Sequence, residues 1–529
     1  MNAQPAELRP AQDAPSPMRE GWLRATRRLP PLQIAPAYAL PLRIFATLFA
    51  AGDVAFLAGM LASPWLAFAA AAIVATSVWM LFHRVAPADD IRGSPLAPWL
   101  VALPIALLLC LLGGEGRLLY ANPDWAVRDA VLADLAARPW PVHYTAAELP
   151  ALVLRAPLGL YMLPALVGQV AGLNAAHLAL LAQNTLLLAG VFATVTAKVA
   201  SLRTRLGVAA VFVAFSGWDV VGTQLNGYTL VFPGASPYAP HLEWWATPFQ
   251  YSSLITDLFW APNHALPAFA LVALYTAWRS GAASSLHLAA MLGLTLLWSP
   301  LVVIGALPFV LLALLTDIGQ RRMGLLAPAV LAPLAAALLP VAVYLTLDDA
   351  KVTQGLNTER ADFLFRYARF IALDLVPLLV LGLVWVRAQP RSARLDLLAC
   401  AVLLLALPFY RIGGSNDLLM RASIFPITLI FVIVAHGLAG ATRADRWRRL
   451  SLPILAIGAM TPAMEIARPF LTPLNPPFAS SLIEVMGNDL SSNYLHAYTA
   501  ETSTYGKSGL FRAPAGDCGQ PARDTPCPS

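Results

Sequence analysis

The sequence predicts an all-α, polytopic membrane protein with about thirteen transmembrane helices (12–14). Two observations carry this reading. Of the 529 residues, 58% are apolar and only 12% are charged, at a mean hydropathy of +0.65, whereas soluble globular chains carry about 25% charged residues. Apolar runs of about 18–24 residues recur from Tyr38 to Glu465, each long enough to cross a hydrocarbon core of about 30 Å. This composition excludes a soluble enzyme, a disordered chain and a nucleic-acid-binding domain. The net charge of +6 bears on membrane orientation instead, because no Lys/Arg run is dense enough for a nucleic-acid surface.

The elements follow in order. Residues 1–37 hold Arg9, Arg19, Arg24, Arg27 and Arg28 among prolines, without an apolar core. The basic stretch is too long for a signal peptide and lacks a cleavage site, so it reads as a cytoplasmic arm. The transmembrane part, 38–465, opens with a run broken at Ser63-Pro64, which gives a hairpin of spans at 39–62 and 65–83. Further spans are placed at 97–114, 175–198, 205–217, 264–279, 285–298, 299–316, 323–346, 369–387, 395–409, 422–440 and 451–465. Trp298-Ser299-Pro300 divides 285–316 into two crossings; a single crossing there would invert everything downstream.

With the N-terminus inside, nearly every short basic loop falls on one side, as the positive-inside rule requires. These loops hold Arg84/Arg92, Lys198/Arg203/Arg205, Arg279, Arg321/Arg322, Arg387/Arg391/Arg394 and Arg443/Arg446/Arg448/Arg449. The polar chemistry is left to outer segments at 115–174, 217–263, 347–368 and 410–421 and to a periplasmic tail, 466–529. Within the spans Asp53 is the main charge, with Arg43 near a helix end. Intramembrane charges usually mark ion or proton paths. Their scarcity here, and the lack of an internal repeat, argue against an ion-coupled transporter.

Of the four cysteines, Cys110 and Cys400 fall in spans and read as core residues. Cys518 and Cys527 lie in the tail, placed to form a small-loop disulfide on an oxidising side or to stand as two free thiols. The metalloprotease, Walker, C-x-x-C and dinucleotide-binding motifs are absent.

The first outer segment carries the densest chemistry. Asn122-Pro123-Asp124-Trp125-Ala126-Val127-Arg128-Asp129 opens a stretch with apolar positions at helical spacing over 125–136, then comes Arg138-Pro139-Trp140-Pro141. Asp124 falls near the helix N-cap, where a carboxylate commonly only caps, and Arg128 is placed to pair with it across one turn. Leu154-Arg155-Ala156-Pro157-Leu158-Gly159-Leu160-Tyr161 follows, and then Gly172-Leu173-Asn174 opens a span that ends at Lys198.

In this order of motifs the chain resembles the GT-C superfamily of integral-membrane glycosyltransferases, most of all the lipid A aminoarabinose transferase and protein O-mannosyltransferase group. The likeness covers roughly 115–210; elsewhere it is topological. The resemblance implies a GT-C-like fold and a donor sugar carried on polyprenyl phosphate. It implies transfer on the outer side of the membrane, with the family's loop aspartate at Asp124 and its basic residue before P-P-L-G at Arg155. Two departures stand out. Trp125 occupies the place where the family often has a second carboxylate, which leaves Asp129 as a possible substitute, and Ala156 replaces the first proline.

The chemistry agrees with that expectation. Glycosyl transfer needs a base for the acceptor hydroxyl, a role a carboxylate can take, and fixed cations for the departing phosphate, where arginine suits by its two parallel hydrogen bonds. Arg155 is the leading phosphate contact. Arg411 and Arg421, which flank Gly413-Gly414, are further contacts or else an interfacial anchor and a helix pair with Asp417. Arg366 and Arg369 suit interfacial anchoring better. Trp218, Asp219, Glu243, Trp244 and His264 are candidates for a sugar or acceptor pocket, or parts of an aromatic belt. No ligand spacing supports a metal at Asp124, Asp129, His241, Glu243 and His264, although a divalent cation is left open; no other cofactor is called for.

The expected function is therefore that of an inverting membrane glycosyltransferase of a bacterial inner membrane. Its C-terminus would be periplasmic, its environment the lipid bilayer, and its acceptor lipid A, a polysaccharide or a protein. The alternatives are an enzyme like the O-antigen ligases and polymerases, which place their main loop later in the chain, and a flippase or transporter of lipid-linked sugar without chemistry.

Overall fold

The computed structural model describes residues 32–86, 96–145, 150–230, 241–322, 326–359, 361–442, 444–472, 481–486 and 493–513. The Cys518–Cys527 pairing and most of the arm at 1–37 lie outside them. Among the described residues, nine helices are long and apolar enough to cross a membrane, and the pair Arg446–Gly458 and Met460–Leu471, bent by 46°, makes a tenth if taken as one span. The protein is thus helical and multi-pass. Nine or ten of the thirteen spans expected from the sequence fall on such helices; the other three fall on Ala97–Leu112, Pro262–Arg279 and Ser285–Leu294, of 16, 18 and 10 residues, which are not among them.

The break at Trp298-Ser299-Pro300 is present. Ser299 Oγ accepts the Val302 amide at 3.2 Å and Pro300 starts the next helix, Pro300–Gly319. Ten residues rise only about 15 Å, half a bilayer core, yet the chain does return between its neighbours. Helix Pro262–Arg279 runs from one end of the bundle at Asn263 and His264 to the other at Trp278 and Arg279. Helix Pro300–Gly319 runs the same way, from Pro300 to Thr316. Residues 280–299 must therefore travel back.

At the end that gathers the basic loops, the chain closes on itself. Ile34 pairs with Val85, Ala35 N donates to Ala282 O at 2.9 Å, and Arg43 donates to the carbonyls of Phe82 and His83. At the opposite end sit the irregular segments. An antiparallel sheet joins His143–Tyr144, Leu152–Leu154 and Thr499–Glu501, so the C-terminal segment packs on the segment after helix Trp125–Ala137, and a two-stranded ribbon pairs Gln354–Leu356 with Tyr410–Ile412. Leu61 and Phe511 form a further bridge, with Arg512 N on Met60 O at 2.8 Å.

Asp53 is not the main intramembrane charge, which corrects the sequence reading. Asp53 is fully buried with both oxygens unpartnered among the described residues, but Asp374 in helix Phe363–Ala388 is equally buried, with Asp219 and Trp245 as polar neighbours. Asp396 in helix Arg391–Ala406 is buried against Arg279 and Tyr275. The last pairing resolves the cost of the charge, because a guanidinium and a phenol satisfy the carboxylate at the bundle's end.

Close helix approach fixes one packing position. A Cβ on Gly305 would stand 2.1 Å from the backbone oxygen of Ala422, so helix Pro300–Gly319 meets helix Asp417–Ala422 backbone to backbone. Gly305→Val should lower thermal stability in detergent by about 1–3 kcal/mol, whereas Gly207→Ala, with nothing within 4 Å of the new methyl, should stay within about 1 kcal/mol of wild type. Equal unfolding midpoints for the Gly305 variant and wild type would refute this contact.

Candidate active site

A cavity of about 690 Å³ opens at the irregular end of the bundle, where several chain segments meet. The first is the entry to helix Trp125–Ala137. Asn122 Nδ2 and Trp125 Nε1 both donate to the carbonyl of Phe259, at 2.8 and 3.1 Å, and Asn122 Oδ1 accepts the Asp124 amide at 3.1 Å. These bonds pin the helix start onto helix Leu254–Trp260 and present Asp124 and Arg128 to the cavity. The Asp124 side chain makes no cap bond; it is 46% exposed and lies 3.5 Å from Arg128, the i,i+4 pair expected from the sequence. Arg128 is buried, and its Nε has no partner among the described residues.

Asp129 takes the other face of that helix. It is buried, bonds Arg117 at 2.7 Å and approaches His177 at 3.8 Å, and it does not line the cavity. Burial pushes its carboxyl up to about 7, although Arg117 and Arg128 pull it down.

The second segment brings Arg155, Pro157 and Tyr161. Arg155 is largely committed to the chain itself. Its guanidinium donates to His496 O at 2.7 Å and Ala497 O at 3.4 Å, and its amide donates to Tyr498 O at 2.7 Å. Ala497 and Tyr498, held in this way, form part of the cavity wall.

The third wall is aromatic. His241, Trp244 and Trp260 line it, with ring centroids 5.1–6.3 Å apart. Glu465 supports them from behind: it accepts Trp260 Nε1 at 2.6 Å, lies 3.5 Å from His241 Nε2, and is held by Arg468 at 2.9 Å. Burial keeps the His241 imidazole below its ordinary range against the pull of Glu465. Trp244 is the exposed member, at 52%, and offers its face to the opening.

The fourth segment, 412–421, contributes Gly413, Gly414, Ser415, Asp417 and Arg421. Gly413 has φ +86°, and a Cβ there would collide with the Asp417 carboxylate at 1.9 Å, so glycine is required for this turn. Arg421 also has an unpartnered Nε among the described residues. Across the cavity from it lies buried Asp257, whose carboxyl burial raises well above the usual range while Arg421 opposes the rise. His264 enters from the start of helix Pro262–Arg279 and shares a 2.6 Å hydrogen bond with Ser299.

Among the residues singled out from the sequence, Asp124, Arg155, Arg421, Trp244 and His264 thus converge on one cavity. Five others lie elsewhere. Arg411 sits in the Tyr410–Ile412 strand of the ribbon, away from the cavity lining. Trp218 donates to Ile454 O at 3.2 Å, Asp219 accepts from Ser216, Trp245 and Thr461, and Glu243 accepts from Ser253 and Gln250; all three serve packing beside the site. Asp129 is the fifth. The sequence reading underrated Arg128 as a mere ion-pair partner and gave no site role to Asp417 or Tyr498. Among the described residues no three His, Cys, Asp or Glu side chains are grouped to hold a metal. Comparison with protein-family models, with curated proteins and with solved structures finds no match.

Two expectations follow, one from a buried carboxyl away from the cavity and one from its wall. Glu115, just beyond helix Ala97–Leu112, is 1% exposed, and burial pushes its carboxyl up to about 8 with Asn184 and Cys110 as polar neighbours. A carboxyl raised in the folded state lends stability that is complete below its ordinary value and lost as pH rises through about 8. The unfolding midpoint should therefore fall between pH 6 and pH 9, and Glu115→Gln should reduce that fall; an undiminished slope in the variant would count against it. In Arg155→Ala, the carbonyls of His496 and Ala497 lose their donor, a cost of about 1–3 kcal/mol. Amide exchange across 497–501 should then accelerate by about tenfold or more, and unchanged protection would show that Arg155 does not hold this segment.

Proposed function

We propose that this chain is an inverting membrane glycosyltransferase of the GT-C kind. It takes a sugar from a polyprenyl-phosphate-linked donor and gives it to a hydroxyl of a cell-envelope acceptor. The observation that carries the reading is the content of the cavity: one accessible carboxylate, Asp124, with buried Arg128 and half-buried Arg421, each with an Nε unpartnered among the described residues, and an aromatic wall with Trp244 open to the ligand. A phosphosugar asks for those three kinds of group together. The motif order around Asp124 and Arg155, which resembles the GT-C group, supports the same reading.

In this mechanism the acceptor hydroxyl attacks the anomeric carbon as its proton passes to Asp124. The bond from that carbon to the phosphate oxygen breaks, and the electron pair leaves with the polyprenyl phosphate. A single displacement inverts the anomeric centre. Arg128 and Arg421 meet the charge that develops on the phosphate. The commitment of Arg155 to two carbonyls favours these two over Arg155 for that task. The sugar face rests on Trp244, whose ring is edge-on to Trp260.

The arginine-rich loops gather at the end away from the cavity, which by the positive-inside rule supports a periplasmic cavity and a cytoplasmic N-terminus in a bacterial inner membrane. A full complement of about thirteen spans fits that orientation, with the helices Ala97–Leu112, Pro262–Arg279 and Ser285–Leu294 counted as crossings beside the nine or ten.

The test is transfer of labelled sugar from a pool of polyprenyl-phosphate sugars into envelope fractions by membranes that hold each protein. Wild type should transfer; Asp124→Asn should lose about a hundredfold or more, and Arg421→Gln a similar factor of about 10²–10³. Transfer by Asp124→Asn at the wild-type rate would remove the base from this mechanism, and the fraction that takes the label identifies the acceptor class.

A further inference from the structure

A second cavity, of about 570 Å³, lies at the opposite end of the same helices. Helices Pro262–Arg279 and Pro300–Gly319 both begin at the first cavity and end at this one. Their 18 and 20 residues rise about 27 and 30 Å, the thickness of a bilayer core. The two cavities are thus separated by one membrane thickness, and the second sits where phospholipid headgroups would be.

Its lining is basic on one side and apolar on the other. Arg279, Arg391 and Arg394 converge on it, with Trp278, Thr316 and Leu395. Arg279 is already neutralised: its Nε donates to Asp396 Oδ2 at 3.0 Å, and its guanidinium lies 4.4 Å over Trp278. Arg391 and Arg394 are exposed and bond no described residue. They stand three residues apart at the start of helix Arg391–Ala406, on one face. Two arginines without a partner among the described residues, beside a fixed ion pair, leave a net positive pocket.

The apolar side continues toward the membrane interior. Leu395, Leu398 and Val402 are 58–60% exposed at helical spacing on helix Arg391–Ala406, and Leu311 and Leu315 are 47% and 66% exposed on the adjoining helix Pro300–Gly319. The two helices pack against each other, so these side chains border a furrow that runs away from the arginines.

We propose that this cavity binds one anionic phospholipid, with its phosphate between Arg391 and Arg394 and an acyl chain along the furrow. Arginine grips phosphate by parallel hydrogen bonds, and basic pockets between membrane helices suit anionic headgroups. Ordinary positive-inside anchoring needs only charge near the interface; here the charge is gathered at the mouth of a cavity that opens onto an apolar track.

The test uses the full-length protein, delipidated in neutral detergent and examined by native mass spectrometry. The probes are phosphatidylglycerol and phosphatidylcholine with identical chains, and inorganic phosphate as competitor. Wild type should hold one phosphatidylglycerol about tenfold or more tighter than phosphatidylcholine. Arg391→Gln with Arg394→Gln should bring the two lipids to parity. Leu395→Trp, which fills the cavity and leaves the charge, should also abolish the preference. All three positions are exposed, so these variants should melt like wild type. Parity in wild type overturns the proposal, as does a preference kept by the double variant. A preference kept by Leu395→Trp reduces the effect to surface charge and overturns the cavity. Ready displacement of phosphatidylglycerol by inorganic phosphate assigns the pocket to a free anion and overturns the lipid.

Discussion

Helix Pro262–Arg279 is enclosed by protein along its whole length, and only His264 and Arg279, one near each end, are partly exposed. In a bilayer this is a demanding arrangement. Lipid tails are as apolar as leucine, so a helix gains little by leaving them unless its neighbours pack closely. Helices Leu173–Val195, Pro300–Gly319 and Ile424–Gly440 all contact it and supply that packing. The enclosed helix then acts as a post. Its start holds Asn263 and His264 at the floor of one cavity, and its end holds Arg279 against Asp396 at the wall of the other. The position of each polar group at either surface depends on the fit of an apolar surface between them.

The larger cavity illustrates how irregular backbone survives at a membrane end. Its walls come from helix starts, a two-stranded ribbon and segments next to the three-stranded sheet, and the open backbone groups are met by side chains. Asn122 and Trp125 share the carbonyl of Phe259, Arg155 covers the carbonyls of His496 and Ala497, and Asn357 donates to Pro408 O at 2.9 Å. Buried carbonyls without donors would be expensive. Part of the polar inventory that reads as chemistry in the sequence is therefore structural, and Arg155 is the clearest case. The groups left for a ligand are those with spare capacity, chiefly Asp124, Arg128 and Arg421.

The positions of the helices were legible in the sequence because a bilayer turns length and apolarity into a direct signal. The break at Ser299-Pro300 was legible for the same local reason, a cap followed by proline. Asp124, Arg128 and the helix that carries them could be read from a pattern spanning a few residues. The rest of the cavity could not, because its geometry is made of contacts between distant segments. Arg155 meets His496 across 341 residues, Trp260 meets Glu465 across 205, and Asn122 meets Phe259 across 137. Nothing within a short window distinguishes Trp260, which faces the cavity, from Trp218, which packs beside helix Arg446–Gly458 through Ile454. Glycine was a partial exception. Gly413-Gly414 suggested close backbone approach, and Gly413 does occupy a turn that no larger residue fits, although the group it accommodates is the Asp417 carboxylate.

The sheet made by Leu152–Leu154 and Thr499–Glu501 has a consequence for biosynthesis. One partner is made after the first three apolar helices and the other only after all the spans described above, so the wall formed by Ala497 and Tyr498 cannot exist while the chain is still being made. During that interval Leu152–Leu154 presents an unpaired strand edge, with the Arg155 guanidinium beside it free of its carbonyls. An exposed edge of this kind pairs with whatever extended segment reaches it first. The nascent protein thus has a stage at which membrane insertion is complete and the cavity is not. A fusion or truncation that delays residues 493–513 would lengthen that stage while leaving every helix in place.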